Sequence, residues 1–437
     1  MNVPAEWQRG PSGRAACRRV AAGAGTAAAA RLLLLLLLAV SSSLRGELVA
    51  QDGGRDDGKD DEEIREAGLV DPYTKGDAEW MARAGIVAYD SFPWADGLRT
   101  DDIDKVLGED RVLWLETAHF RIGSTFKSFA WPNDSDKRKA LQKEIEELRK
   151  VLPKVKPKPK RIDPWLRLHL YARRVESCYA DMLELLGATD ADFPPRGTGP
   201  RDGAFLGQPD KFLVLLFQKK SDMARYMDRF CGLRADTSMR YQHGKTHQML
   251  SCVSAEGLEG FDDTALHGHV VYAVMHNLFA GYNGFYYQLP PWFVEGLAHW
   301  YSRRIPSDVP NVDIRDDEAV AEYRQNDWPV KVRRRAQHEG AFFPFETMAA
   351  WDDASTMGYH AHSQSWSRLD YLMQRDAEKV GVMLRQLKAL PGGGDVKASA
   401  SRARELAQQL LLELFELDPA AFDAAWREWV LKTYPKS

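Results

Sequence analysis

The sequence predicts an α+β fold: a small mixed-sheet N-terminal lobe followed by a mainly helical lobe. Three observations carry this. Leu113 to Ile122 (LWLETAHFRI) alternates apolar and polar residues, the period of a half-buried strand. Lys211 to Gln218 (KFLVLLFQ) is a continuous apolar run between turn residues, the pattern of a strand buried on both faces. From residue 263 onward the periodicity is helical, so strands and helices come first and helices alone follow.

The chain has 437 residues, 44% of them hydrophobic, enough to bury a large core in two or three subdomains. A net charge of -4 and a pI near 6.3 exclude the basic face that phosphate backbones require, so no nucleic acid is expected as a partner.

Residues 1–50 read as an export signal. Arg9, Arg14, Arg18 and Arg19 make a positive n-region, Leu32 to Val40 an apolar run, and Leu48-Val49-Ala50 a cleavage point. The run is shorter than the roughly 20 apolar residues a spanning helix needs. A membrane partner is expected only if the signal stays uncleaved. The location is then periplasm, envelope or extracellular space. Residues 51–70 are acidic and are expected to be a solvated, disordered spacer. Residues 71–111 are an N-terminal extension, 112–262 the α+β lobe, and 263–437 the helical lobe. Outside the signal the cysteines are Cys178, Cys231 and Cys252. Cys231 with Cys252 is the expected disulfide, and three free thiols are the alternative.

The elements follow in order. Asn133 to Ser135 caps a charged helix, Asp136 to Leu152, broken by the basic, proline-rich connector Pro153 to Arg161. Asp163-Pro164 starts a helix through Leu168, Tyr171, Val175, Cys178, Met182 and Leu186, which Gly187 ends. Ser221 caps a short helix ending at Gly232, and His247 to Ser254 is a strand. Asp263 caps a helix from Thr264 to about Ala280, and Pro291 opens the next. Gln364 to Arg375 and Ala377 to Leu390 pair as helices. Val396 to Glu416 and a helix opened by Asp418-Pro419 complete the chain.

Two segments carry the chemistry: Pro290 to Ser302 (PPWFVEGLAHWYS) and Thr264 to Leu278 (TALHGHVVYAVMHNL). The first looks like the Trp-x-x-Glu-Gly-Leu-Ala signature of gluzincin (thermolysin-like, peptidase-MA-like) metallopeptidases. The second sits where that family's metal-binding helix belongs. The resemblance implies a zincin-like helical lobe with Glu295 as a metal ligand. It also implies that the strand His247 to Ser254 is the edge strand on which substrate lies, and that Tyr359 or His360 stabilises an oxyanion.

A zinc peptidase of this kind needs His-Glu-x-x-His, two histidines one turn apart and a carboxylate base beside the first. A register starting at His267 puts Gly268 at the base and Val271 at the second ligand. Starting at Gly268 gives His269 and Tyr272; at His269, Val270 and Ala273; at His276, Asn277 and Ala280. Each loses at least two of the three groups. His267 and His269 diverge on a helix, and His269 and His276 stand roughly 10 Å apart along the axis. The candidate metal ligands are therefore Glu295, His276, His267 and His269. Only His276 and Glu295 pair easily, and the imidazoles beside Glu295 are not expected to complete a zinc cage. His299, four after Glu295, is expected to hydrogen-bond it. Tyr359-His360-Ala361-His362 is a second candidate, because in an extended segment His360 and His362 share a side.

The expected function is thus that of an exported, zinc-less pseudopeptidase binding a peptide or protein in the interlobe cleft by strand addition. No cofactor is then expected. The alternatives are an active zinc metallopeptidase with an atypical site, hydrolysing peptide bonds, and a structural envelope protein.

Overall fold

The computed structural model describes residues 68–437 except 110, 196–202, 236, 259–261, 285–288, 308–326, 389–395 and 437. The leader and most of the spacer lie outside the described residues. Among those described, no helix is long and apolar enough to cross a membrane.

The α+β class holds, with a mixed sheet in the N-terminal half and helices after it. The elements are α1 (Ala78–Arg83), β1 (Ile86–Tyr89), α2 (Thr100–Leu107), β2 (Leu113–Thr117), β3 (Phe120–Ser124), α3 (Ser135–Val151) and α4 (Pro164–Leu186). Then come β4 (Phe212–Phe217), α5 (Lys220–Tyr226), β5 (Met239–Gln242), β6 (Met249–Ser254), α6 (Asp263–Asn283) and α7 (Pro291–Ser302). The chain ends with α8 (Trp328–Ala336), α9 (Phe345–Ala349), α10 (Tyr359–Lys388), α11 (Val396–Phe415) and α12 (Pro419–Thr433).

The strands form one sheet in the order β1-β2-β3-β4-β6-β5, parallel at β3–β4 and β4–β6 and antiparallel elsewhere. The central β4 shows why its sequence is apolar throughout. Phe212, Val214 and Leu216 enter the main core with α4 and α6. Leu213, Leu215 and Phe217 enter a second core with Trp94, Ile103 and Tyr226 on the opposite face. The main core runs from Leu113 and Ile122 of the sheet to Leu369 of α10 and Trp426 of α12. The line at residue 263 therefore does not divide the packing.

Several expectations need correction. Leu113 to Ile122 is not one strand but a hairpin, β2 and β3, turning at Ala118-His119. The alternation of apolar residues runs through the turn and hides it. The 71–111 extension is part of the sheet through β1. The His247 to Ser254 segment is not an edge strand: it holds β6, which lies between β4 and β5, and the edges are β5 and β1. A four-residue strand, Met-Arg-Tyr-Gln, carries too little pattern to be read. Ser221 does not cap α5; the Lys220 amide instead donates to the Glu256 carboxylate at 2.6 Å. Asp262, not Asp263, caps α6, accepting from the amides of Thr264 and Ala265. All three cysteines are free thiols.

Other signals hold. Asp163 caps α4 with Pro164 in its first turn, and Gly187 ends it at φ 56°, left-handed. The predicted pair of helices after residue 364 is one element, α10, broken at Asp376 (φ -168°, ψ 94°).

Candidate metal centre

Three helices meet around one carboxylate oxygen. α6 is anchored at its first turn by Asp263, whose carboxylate accepts from Arg167 (3.1 Å), Tyr171 (3.0 Å) and Arg174 (2.9 Å) of α4. α7 starts at Pro291 and lies hard against α10. A Cβ at Gly296 would stand 2.6 Å from both Leu369 Cδ2 and Ser365 O of that helix. The glycine of the Glu-Gly-Leu-Ala signature thus has a packing role. It lets the residue before it, Glu295, and the one a turn later, His299, reach the first turn of α10.

Glu295 Oε2 lies 3.4 Å from His362 Nδ1, 4.0 Å from His299 Nε2 and 3.2 Å from His276 Nε2. His299 Nε2 and His362 Nδ1 are 3.0 Å apart and share a hydrogen bond. The Tyr272 hydroxyl donates to the same carboxylate oxygen at 2.6 Å. Tyr272 stacks on His299 with ring centroids 4.7 Å apart and meets His276 edge-on at 4.8 Å. Glu295, His276, His299 and His362 are all buried. His299 Nδ1 has no hydrogen-bond partner among the described residues.

The donor set fits a divalent cation. Metal-ligand bonds of about 2.0–2.1 Å in a tetrahedron put ligand atoms about 3.3 Å apart. The ligand atoms of Glu295, His299 and His362 all lie within 4.8 Å of one another, with separations of 3.0, 3.4 and 4.0 Å. Two imidazoles and a carboxylate, with a further position open, form the donor set of catalytic zinc sites. His276 approaches the same oxygen and stands beside this trio.

The protonation states suit a cation. Burial drives the His276 imidazole below its ordinary value and that of His299 well below it, so both are neutral near pH 7. Burial would raise the Glu295 carboxyl, but His276 and His362, turned toward it, hold it well below the ordinary carboxylate range. Neutral imidazoles and an ionised carboxylate are the forms that bind metal. They also leave a buried negative charge that a cation would balance.

Of the predicted ligands, the structure brings Glu295 and His276 together and leaves out two. His267 lies beside Asp263 and Arg174, where burial drives its basicity far down. Nine residues before His276, it is about 13 Å away along the helix axis. His269 is two turns from His276 and partly exposed. The expected sharing of a side by His360 and His362 fails because residues 359 onward are helical. Positions two apart then diverge by about 200°, and only His362 reaches Glu295. The Tyr359 hydroxyl accepts from Lys331 at 3.3 Å, and its ring meets Trp328 edge-on.

Beside Glu295 the expectation weighed His276, His267 and His269; the structure also brings His299 and His362 there. The turn of α6 that meets Glu295 runs from Tyr272 to His276, an i, i+4 pair. A cavity of about 950 Å³ also opens beside α7, lined by Asp181, Tyr282, Trp300, Arg304, Arg385 and Lys388. None of the cluster residues lines it.

No family model, curated protein or solved structure matches this chain. The gluzincin resemblance therefore stands on its motif residues alone.

The buried histidines set a pH dependence. His267, His276 and His299 are all depressed below 6.5 in the fold. Below about pH 6.5 the unfolded chain takes up protons that the fold refuses, so stability falls as pH falls. His119 acts oppositely: burial lowers it, but Glu176 and Asp190 outweigh this and raise it. His267 and His299 are driven well below their ordinary value, and these two shifts outweigh it. With metal chelated, the thermal midpoint is expected several degrees lower at pH 5.5 than at pH 7.5; an equal or higher midpoint contradicts this.

Proposed function

We propose that this chain is a zinc-binding protein of gluzincin-like architecture that captures peptides with little or no hydrolysis. Its metal centre is Glu295, His299 and His362, not a His-Glu-x-x-His helix. The observation that carries this reading is the convergence of those three ligand atoms within 4.8 Å on buried side chains. A cation held there would supply Lewis acidity toward a carbonyl or carboxylate oxygen.

The residues around it are poor at turnover. His276 is the remaining proton acceptor, and burial has lowered its basicity. A base works best with a pKa near the operating pH. The basic, leucine-rich leader supports an exported location.

Fluorescein-labelled casein tests the proposal. The zinc-loaded protein is expected to bind it, to release it on chelation and to leave it uncut over hours. Rapid, chelator-sensitive cleavage would mean an active metallopeptidase instead. Equal binding with and without zinc would favour the zinc-less reading. That second reading draws on the way the cluster closes on itself, through the Tyr272–Glu295 and His299–His362 hydrogen bonds.

A further inference from the structure

We infer that Arg240 is an anion-recognising residue on the edge strand beside the candidate metal centre, and that the captured peptide carries a carboxylate. The inference rests on the metal-centre reading above and adds the substrate class.

The argument starts from the sheet. Arg240 lies on β5, an edge strand, and stands directly opposite Ser251 of β6. Residues directly opposed in an antiparallel pair point to the same face of the sheet. The face is fixed by Ser251: its hydroxyl donates to the Ala273 carbonyl at 3.4 Å and accepts from the Asn277 amide at 2.7 Å. Both partners lie on α6, flanking His276. Arg240 therefore stands on the α6 side, at the sheet's open edge.

Arg240 is exposed, and no described carboxylate pairs with it. Glu295, the nearest buried anion of the site, takes its contacts from Tyr272 and the imidazoles instead. A guanidinium offers a planar fork of donors that matches a carboxylate. A peptide laid along the edge of β5 would meet Arg240 on the side facing the metal. The carboxylate could come from the peptide's C-terminus or from an acidic side chain, and both present the same two oxygens.

Three labelled octapeptides of alanine and glycine separate the sources: one with a free C-terminus, one amidated, and one amidated with an internal glutamate. Affinities are measured by anisotropy for the zinc-loaded wild type, Arg240→Gln and Arg240→Lys, and zinc content is read separately for each. The wild type is expected to bind at least one carboxylate-bearing peptide about tenfold tighter than the neutral one, the scale of a charge-assisted hydrogen bond. Arg240→Gln should remove that preference, and Arg240→Lys should keep part of it. Equal binding of all three peptides, or a preference that survives Arg240→Gln, would overturn the inference whatever the zinc content. A preference lost in Arg240→Gln with no zinc bound would sink the metal reading and leave the anion site standing.

Discussion

Replacing His362 or His299 by alanine is expected to lower zinc affinity by on the order of a hundredfold or more. Either change leaves two protein ligands where three converge. The controls are His360→Ala and His267→Ala, which should stay within about twofold of wild type, the spread of ordinary distal substitutions. His360 lies two residues from His362 on α10, and His267 lies at the far end of α6. Competition with a chromophoric chelator measures the affinities, and circular dichroism confirms that each variant folds. A His362→Ala protein that keeps wild-type affinity, or a His360→Ala protein that loses it, would mean the ligands are misassigned.

The largest effect on stability is expected from Asp263→Ala. The buried carboxylate neutralises Arg167 and Arg174, and its pKa is held at about 2. Burial opposes that value; the two guanidiniums outweigh burial. Removing the carboxylate leaves buried cations without their anion, a loss of about 3–5 kcal/mol. Glu144 still contacts Arg174 at 2.8 Å and limits the damage on that side. Among the described residues Arg167 has no such second acid, although its guanidinium packs over the Phe126 ring. Asp263→Asn keeps the shape and one acceptor and should lose less. Urea unfolding of the two variants checks the order. A change below about 1 kcal/mol in Asp263→Ala, the scale of an ordinary surface substitution, would show that the cluster is not a stabilising ion pair.

How far the chain could be read without coordinates depends on the range of each signal. Asp163-Pro164 and Gly187 bound α4 through local backbone chemistry, and the structure keeps both ends. Pro291 opens α7 for the same reason. The run at β4 is legible because burial on both faces leaves no room for polar residues. By contrast, β5 is short and half-polar, and only its pairing with β6 defines it. Glu295 stood out by its signature and His299 by its i+4 spacing, but nothing local pointed to His362 beside them. His299 and His362 are 63 residues apart in the chain and meet because Gly296 lets α7 press against α10. No spacing rule covers that approach. Reading residues 359–362 as extended sent His360 and His362 to one side, and the helix sends only His362 to the site.

The central claim is that Glu295, His299 and His362 hold a cation. The direct test is elemental analysis of the protein purified without added metal or chelator, near pH 7.5. About one zinc per chain, reduced to background by Glu295→Ala, is the predicted result, since one cluster of this kind occurs among the described residues. A well-folded protein that carries no metal, and takes none up from micromolar zinc, would contradict it.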